Sequence, residues 1–198
     1  GEIKGDVKEG APSATDANAK KSPAVYLKGG YDKNLTEKLR IRVAGSYYTD
    51  NSSANNTLFW GDRTGSNYFL VQEKNGSTST AQAWSGRVNP GYSDRTQGFQ
   101  FNGFAKYAGL EFFGTYETGQ GRSSVELADR DFTQIAGELI YRASIHGKEN
   151  VWIGVRYNTV DATQRLNGLA ATTAPKNFDV SIDRTSISAG WFLTKNVM

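Results

Sequence analysis

From residue 24 onward, apolar and polar side chains alternate with a period of two in seven stretches. That period places one set of side chains on each face of a β-strand. In 24–32, Val25, Leu27, Gly29 and Tyr31 oppose Tyr26, Lys28, Gly30 and Asp32. In 39–50, Leu39, Ile41, Val43 and Tyr47 oppose Arg40, Arg42, Ala44 and Ser46. In 97–106, Phe99, Phe101 and Gly103 oppose Gln100, Asn102 and Lys106. In 110–119, Leu110, Phe112 and Tyr116 oppose Glu111, Phe113, Thr115 and Glu117. Ile135, Leu139 and Tyr141 oppose Gln134, Glu138 and Arg142 in 131–144. The cleanest stretch, 150–161, sets Val151, Ile153, Val155 and Tyr157 against Gly154, Arg156 and Asn158. In 180–193, Ile187, Ala189, Trp191 and Leu193 oppose Arg184, Ser186, Ser188 and Gly190.

The connections alternate in length. Short turns are expected at 33–38, 107–109, 146–149 and 194–196, and long polar connections at 51–96, 120–130 and 162–179. Residues 1–23, rich in Gly, Ala, Ser and Lys, read as a further polar loop. Strands of about 9–14 residues can cross a bilayer at a tilt. Short turns on one side and long loops on the other are the outer-membrane barrel arrangement. By that rule the long connections lie outside the cell and the short turns in the periplasm.

Composition supports this reading. Hydrophobic residues make up 37% of the chain and aromatics 12%, with 22 glycines among 198 residues. Mean hydropathy is nevertheless −0.56. No run of about 18 apolar residues offers a transmembrane helix, and alternating barrel strands would not produce one. There is no cysteine, so neither disulfides nor thiolate chemistry enter. The net charge of +3 is scattered, without the basic block that nucleic acid would need.

The polar faces carry Lys28, Arg40, Arg42, Lys106, Arg142, Arg156 and Arg184, together with Asp32, Glu111, Glu117 and Glu138. Burying eleven charges in a dry core would be prohibitive, whereas a water-filled lumen tolerates them. These side chains are therefore expected to line a pore, and their positive excess to favour anions. Tyr47, Tyr116, Tyr141, Tyr157 and Trp191 are expected in the aromatic girdles at the headgroup levels. The first long connection, about 46 residues, exceeds the usual length of an unstructured loop. Two readings stand for it: an ordered cap packing over the barrel mouth, or inward folding that narrows the pore with Arg63 and Arg87 as constriction charges.

The predicted fold class is all-β: an antiparallel transmembrane β-barrel, residues 24–198 supplying about seven or eight strands of a larger barrel. Open strand edges are unacceptable in hydrocarbon, so further strands or chains must close it. The lack of an initiator Met before Gly1, and the start of another strand at Asn196–Met198, lead to the expectation that the chain is a segment of a longer polypeptide.

Three stretches add a family resemblance. They are Gly61-Asp62-Arg63-Thr64-Gly65-Ser66-Asn67-Tyr68-Phe69, the run from Phe101 through Glu117, and Gly190-Trp191-Phe192-Leu193-Thr194-Lys195-Asn196-Val197. Together they resemble the porin-like outer-membrane proteins of Bacteroidetes, which look related to phosphate-selective porins. The resemblance spans roughly residues 24–198 and implies outer-membrane location and a barrel more firmly than any solute.

Enzymatic chemistry finds little footing. The only histidine, His146, falls in a short turn without a nucleophile. There is no Gly-x-Ser-x-Gly elbow and no zinc-ligand spacing. Gly119-Gln120-Gly121 lacks the remainder of a dinucleotide fingerprint. Asp62 and Asn67 offer two oxygen donors, far from the six to eight that Ca²⁺ takes. No catalytic residue, metal ligand or cofactor is expected. The expected function is passive diffusion of small, anionic solutes. The expected partners are the outer-membrane bilayer, those solutes, and further copies or other outer-membrane proteins, with no nucleic acid. The competing readings are a non-conducting barrel scaffolding an envelope complex and a soluble β-sandwich binding module.

Overall fold

The computed structural model describes residues 23–51, 56–65, 88–123, 126–145, 148–165 and 177–192. They form seven strands: β1 (Val25–Asn34), β2 (Leu39–Asp50), β3 (Arg95–Tyr107), β4 (Leu110–Arg122), β5 (Arg130–Ile145), β6 (Lys148–Arg165) and β7 (Asn177–Trp191). Each strand pairs antiparallel with the next in one sheet, in the order β1 to β7. The sheet is open, with β1 and β7 as its edges. No helix occurs among the described residues.

The register joins the alternating faces read from the sequence. Tyr31 pairs with Val43, Val43 with Gly103, Gly103 with Gly114, Gly114 with Gly137 and Gly137 with Tyr157. Directly opposed residues share a face. Val25, Leu27, Val43, Phe101, Phe112, Leu139, Val155 and Ile187 therefore cover one side of the sheet. All eight are exposed. The eleven charged positions named from the sequence share the other side.

Several strands outrun their apolar alternation. β6 continues to Arg165 and β7 begins at Asn177, so the third long connection shrinks from 162–179 to 166–176. β4 reaches Arg122 and β5 starts at Arg130, trimming the second to 123–129. Lys148 and Glu149, expected in a turn, pair with Ile145 and Ser144. Ladder hydrogen bonds use the backbone, so polar residues such as Thr163 and Asp179 extend a strand as readily as apolar ones.

The turn between β3 and β4 is the two-residue Ala108-Gly109, with Ala108 in the left-handed region at φ 50°. It is stitched to both sides: Ala108 N donates to Lys38 O at 3.0 Å, and Arg142 N to Gly109 O at 2.8 Å. Residues 1–22 and 193–198, which include the expected last turn and strand stub, lie outside the described residues.

Candidate site on the charged face

Ladder pairs place all the candidate pore-lining residues on one face. Arg40 pairs with Lys106 and Lys106 with Glu111, while Arg142 lies two residues beyond Ile140, the partner of Glu111. Arg42 opposes Asp32. Lys28 reaches Glu117 through Ser46 and Gln100. Glu138 opposes Arg156, and Arg184 opposes Asn158.

Toward the short turns this face is an ion-pair lattice. Arg40 binds Asp32 through two hydrogen bonds, Nε to Oδ1 at 2.9 Å and Nη2 to Oδ2 at 2.6 Å. Glu111 accepts from Lys106 Nζ at 2.9 Å and from Arg142 at 3.2 and 3.3 Å. The guanidinium of Arg42 stacks over Phe104, 5.6 Å from its centroid. These groups border an open cleft of about 900 Å³, lined by Lys38, Arg40, Lys106, Tyr107, Tyr141 and Arg142. Among the described residues, no ion pair engages Lys28, Arg42, Glu138, Arg156 or Arg184.

Toward the long loops the same face is apolar, and the first long connection folds onto it. Phe59, Val88 and Tyr92 from that connection are buried with Phe132, Val160 and Ala162 of the sheet, flanked by Val180 and Ile182. The rings of Phe59 and Phe132 meet edge to face at 5.4 Å. Glycines make the room: a Cβ on Gly98 would strike the Phe59 ring, and one on Gly121 would strike Tyr92 and the Arg95 carbonyl.

Arg63 descends from this lid toward Glu117. Its Nη2 donates to Glu117 Oε1 at 3.3 Å, and its Nε stands 3.1 Å from Oε2 without hydrogen-bond alignment. Its guanidinium lies over Phe59 at 5.0 Å and Phe132 at 5.5 Å. Asn158 Nδ2 donates to the Arg63 carbonyl at 3.0 Å. The described part of the connection packs on the charged face, and Arg63 sits where it meets the strands. Arg87, Asn67 and His146 lie outside the described residues. Asp62 closes a local turn, accepting from Thr64 N and Val88 N, both at 3.0 Å.

A second clamp escaped the sequence reading. Arg130 opens β5 with a buried guanidinium that binds Glu126 at 2.6 Å, Pro90 O at 2.9 Å and Thr163 O at 3.0 Å. It thereby ties the first and second long connections to the end of β6. Burial pushes the Glu126 carboxyl upward, but hydrogen bonds from Arg130 and Ser123 outweigh it, and the net shift is downward. Burial raises the Tyr92 hydroxyl above its ordinary range.

The sequence did carry a signal for this lid. Phe132, Val160, Ala162, Val180 and Ile182 are out of phase with Ile135, Val155 and Ile187 on the same strands. The charged face is therefore not charged along its whole length: near the loops the apolar side chains switch onto it, because the lid covers them there.

Among the described residues, no group of three or more His, Cys, Asp or Glu is placed to hold a metal ion. Compared with known protein families, curated proteins and solved structures, the chain matches none.

Proposed function

We propose that the sheet is a wall section of an outer-membrane β-barrel through whose water-filled lumen small anionic solutes diffuse. One observation carries the reading. The face bearing Leu27, Phe101, Phe112, Ile153 and Ile187 is exposed, whereas the face bearing the charges is the one that binds the folded loop. A sheet in water would put its apolar side inward; a sheet in lipid reverses that order. The guanidinium groups of Arg42, Arg156 and Arg184 would then bias passage electrostatically, without covalent chemistry.

The lid favours a second reading, a barrel that does not conduct and serves as a scaffold. Its aromatic cluster and the Arg130–Glu126 clamp stand across the loop end of the inner face. Reconstitution of the full chain into planar bilayers separates the two. Membrane insertion with anion-preferring conductance supports the channel, and insertion without conductance supports the scaffold. Full recovery in the aqueous fraction without detergent defeats both.

A further inference from the structure

The exposed apolar patch does not run along the hydrogen-bonded rows of the sheet; it crosses them diagonally. Tyr47 on β2 is joined through Phe99 to Thr118, and Tyr116 stands two residues past Thr118 on β4. Tyr116 is joined through Ile135 to Thr159, and Tyr157 stands two residues past Thr159 on β6. The loop-side margin thus steps one residue toward the turns for each strand crossed. On the turn side, Tyr31 on β1 and Tyr141 on β5 follow the same slope. The row of Tyr31 meets β2 at Val43, and the row of Tyr141 meets it at Leu39, four residues on.

Charges obey the diagonal and violate the rows. Lys33 shares its row with Ile41, Ala105, Phe112, Leu139, Val155 and Ile187. Asp183 shares its row with Thr159, Ile135, Tyr116 and Phe101. A band parallel to the rows would immerse both charges in hydrocarbon, a costly placement. The diagonal band leaves Lys33 beyond its turn-side margin and Asp183 beyond its loop-side margin. Two of the three tyrosine hydroxyls on the loop-side margin meet polar partners beyond it. Tyr157 Oη donates to Asp183 Oδ1 at 2.8 Å, and Tyr47 Oη accepts from Gln97 Nε2 at 2.7 Å.

We infer that the occupant of this face is a slab of lipid acyl chains lying oblique to the rows, with Tyr47, Tyr116 and Tyr157 marking its loop-side headgroup level. This rests on the membrane reading above and fixes its geometry. One residue of about 3.3 Å per strand spacing of about 4.8 Å gives a strand tilt of about 35° from the membrane normal. That lies in the range of roughly 35–45° found for outer-membrane barrels. A second packed protein sheet, or another copy of the chain, would not require a polar margin with this constant slope.

The row of Lys33 provides the test. Phe112 stands three strands from Lys33 and three from Ile187 on that row. The cysteine-free chain accepts single labels without background. Nitroxides at Lys33→Cys, Phe112→Cys and Ile187→Cys in the full chain, in phosphatidylcholine vesicles, report depth from oxygen and nickel-chelate collisions. Tilt sets Lys33 about 8 Å to the turn side of Phe112 and Ile187 about 8 Å to its loop side, from three spacings of about 4.8 Å each. By the tyrosine margins Phe112 and Ile187 then lie just inside opposite edges of the slab at like depth, and Lys33 lies about 8 Å shallower. Labels at Tyr47→Cys, Tyr116→Cys and Tyr157→Cys should share one depth. Equal depth for the first three overturns the oblique slab while leaving the membrane reading intact. Absence of oxygen enrichment at Phe112→Cys and Val155→Cys alike overturns the membrane reading itself.

Discussion

Glu126 and Arg130 stand one helical turn apart in sequence without any helix, and their side chains meet at 2.6 Å, 2% and 4% exposed. The contact holds because Arg130 is fixed by the start of β5 while Glu126 is fixed by two hydrogen bonds from Ser123. Removing one partner strands a buried charge. Arg130→Ala is expected to destabilise the fold by about 3–5 kcal/mol, read from the denaturant midpoint in detergent. Arg130→Met with Glu126→Leu should recover much of that loss.

The same pair sets an acid limit. The Glu126 carboxyl is held below its ordinary value, so it contributes stability above its unfolded pKa of about 4.3. That contribution disappears as pH falls through the lowered folded value. The denaturant midpoint should hold from neutrality to about pH 5 and drop below that. In Glu126→Gln the drop should be smaller, and an unchanged acid slope would remove Glu126 from this role.

Tyr92 makes an opposite kind of prediction. Its ring is buried against Phe59 and Phe132, yet its hydroxyl has no hydrogen-bond partner among the described residues. Burying a hydroxyl unpaired costs about 1–3 kcal/mol. Tyr92→Phe should therefore leave the lid as stable or more stable by up to that amount, measured by thermal unfolding. Because burial raises its pKa, the Tyr92 hydroxyl leaves stability unchanged up to about pH 10 and lowers it as pH rises further, where the unfolded chain ionises first.

Gly121 sits where the lid approaches the ladder, and an added methyl would meet the Arg95 carbonyl as well as the Tyr92 ring. A backbone oxygen cannot swing away as a side chain can. Gly121→Ala is expected to cost about 1–3 kcal/mol. Gly103→Ala, where a Cβ has open space, should cost far less.

If the inner face guides anions, its cations must set the permeability ratio. Arg156→Gln removes a guanidinium that no described ion pair neutralises. A unit charge about 6 Å from a hydrated path is worth roughly threefold in local ion concentration. Reversal potentials under a KCl gradient should shift toward cations in Arg156→Gln, and also in Arg63→Ala, where Glu117 loses its partner. Identical potentials in both variants would refute the electrostatic role.

The sequence by itself determined the seven strands, their order of faces and the side of the sheet that carries charge. Alternation is a local property: Val151, Ile153 and Val155 lie on one side of any strand they form, whatever pairs with it. It also exposed the phase switch after Tyr157, although its meaning was not legible. Only the tertiary structure decided that Phe59, Val88 and Tyr92 cover Phe132 and Val160, and that Arg130 binds Glu126 beneath the lid. Those contacts join residues up to about a hundred positions apart, such as Arg63 with Asn158, and no local pattern encodes them. The diagonal margin likewise required the register, because a slope across strands exists only once each residue has a known partner.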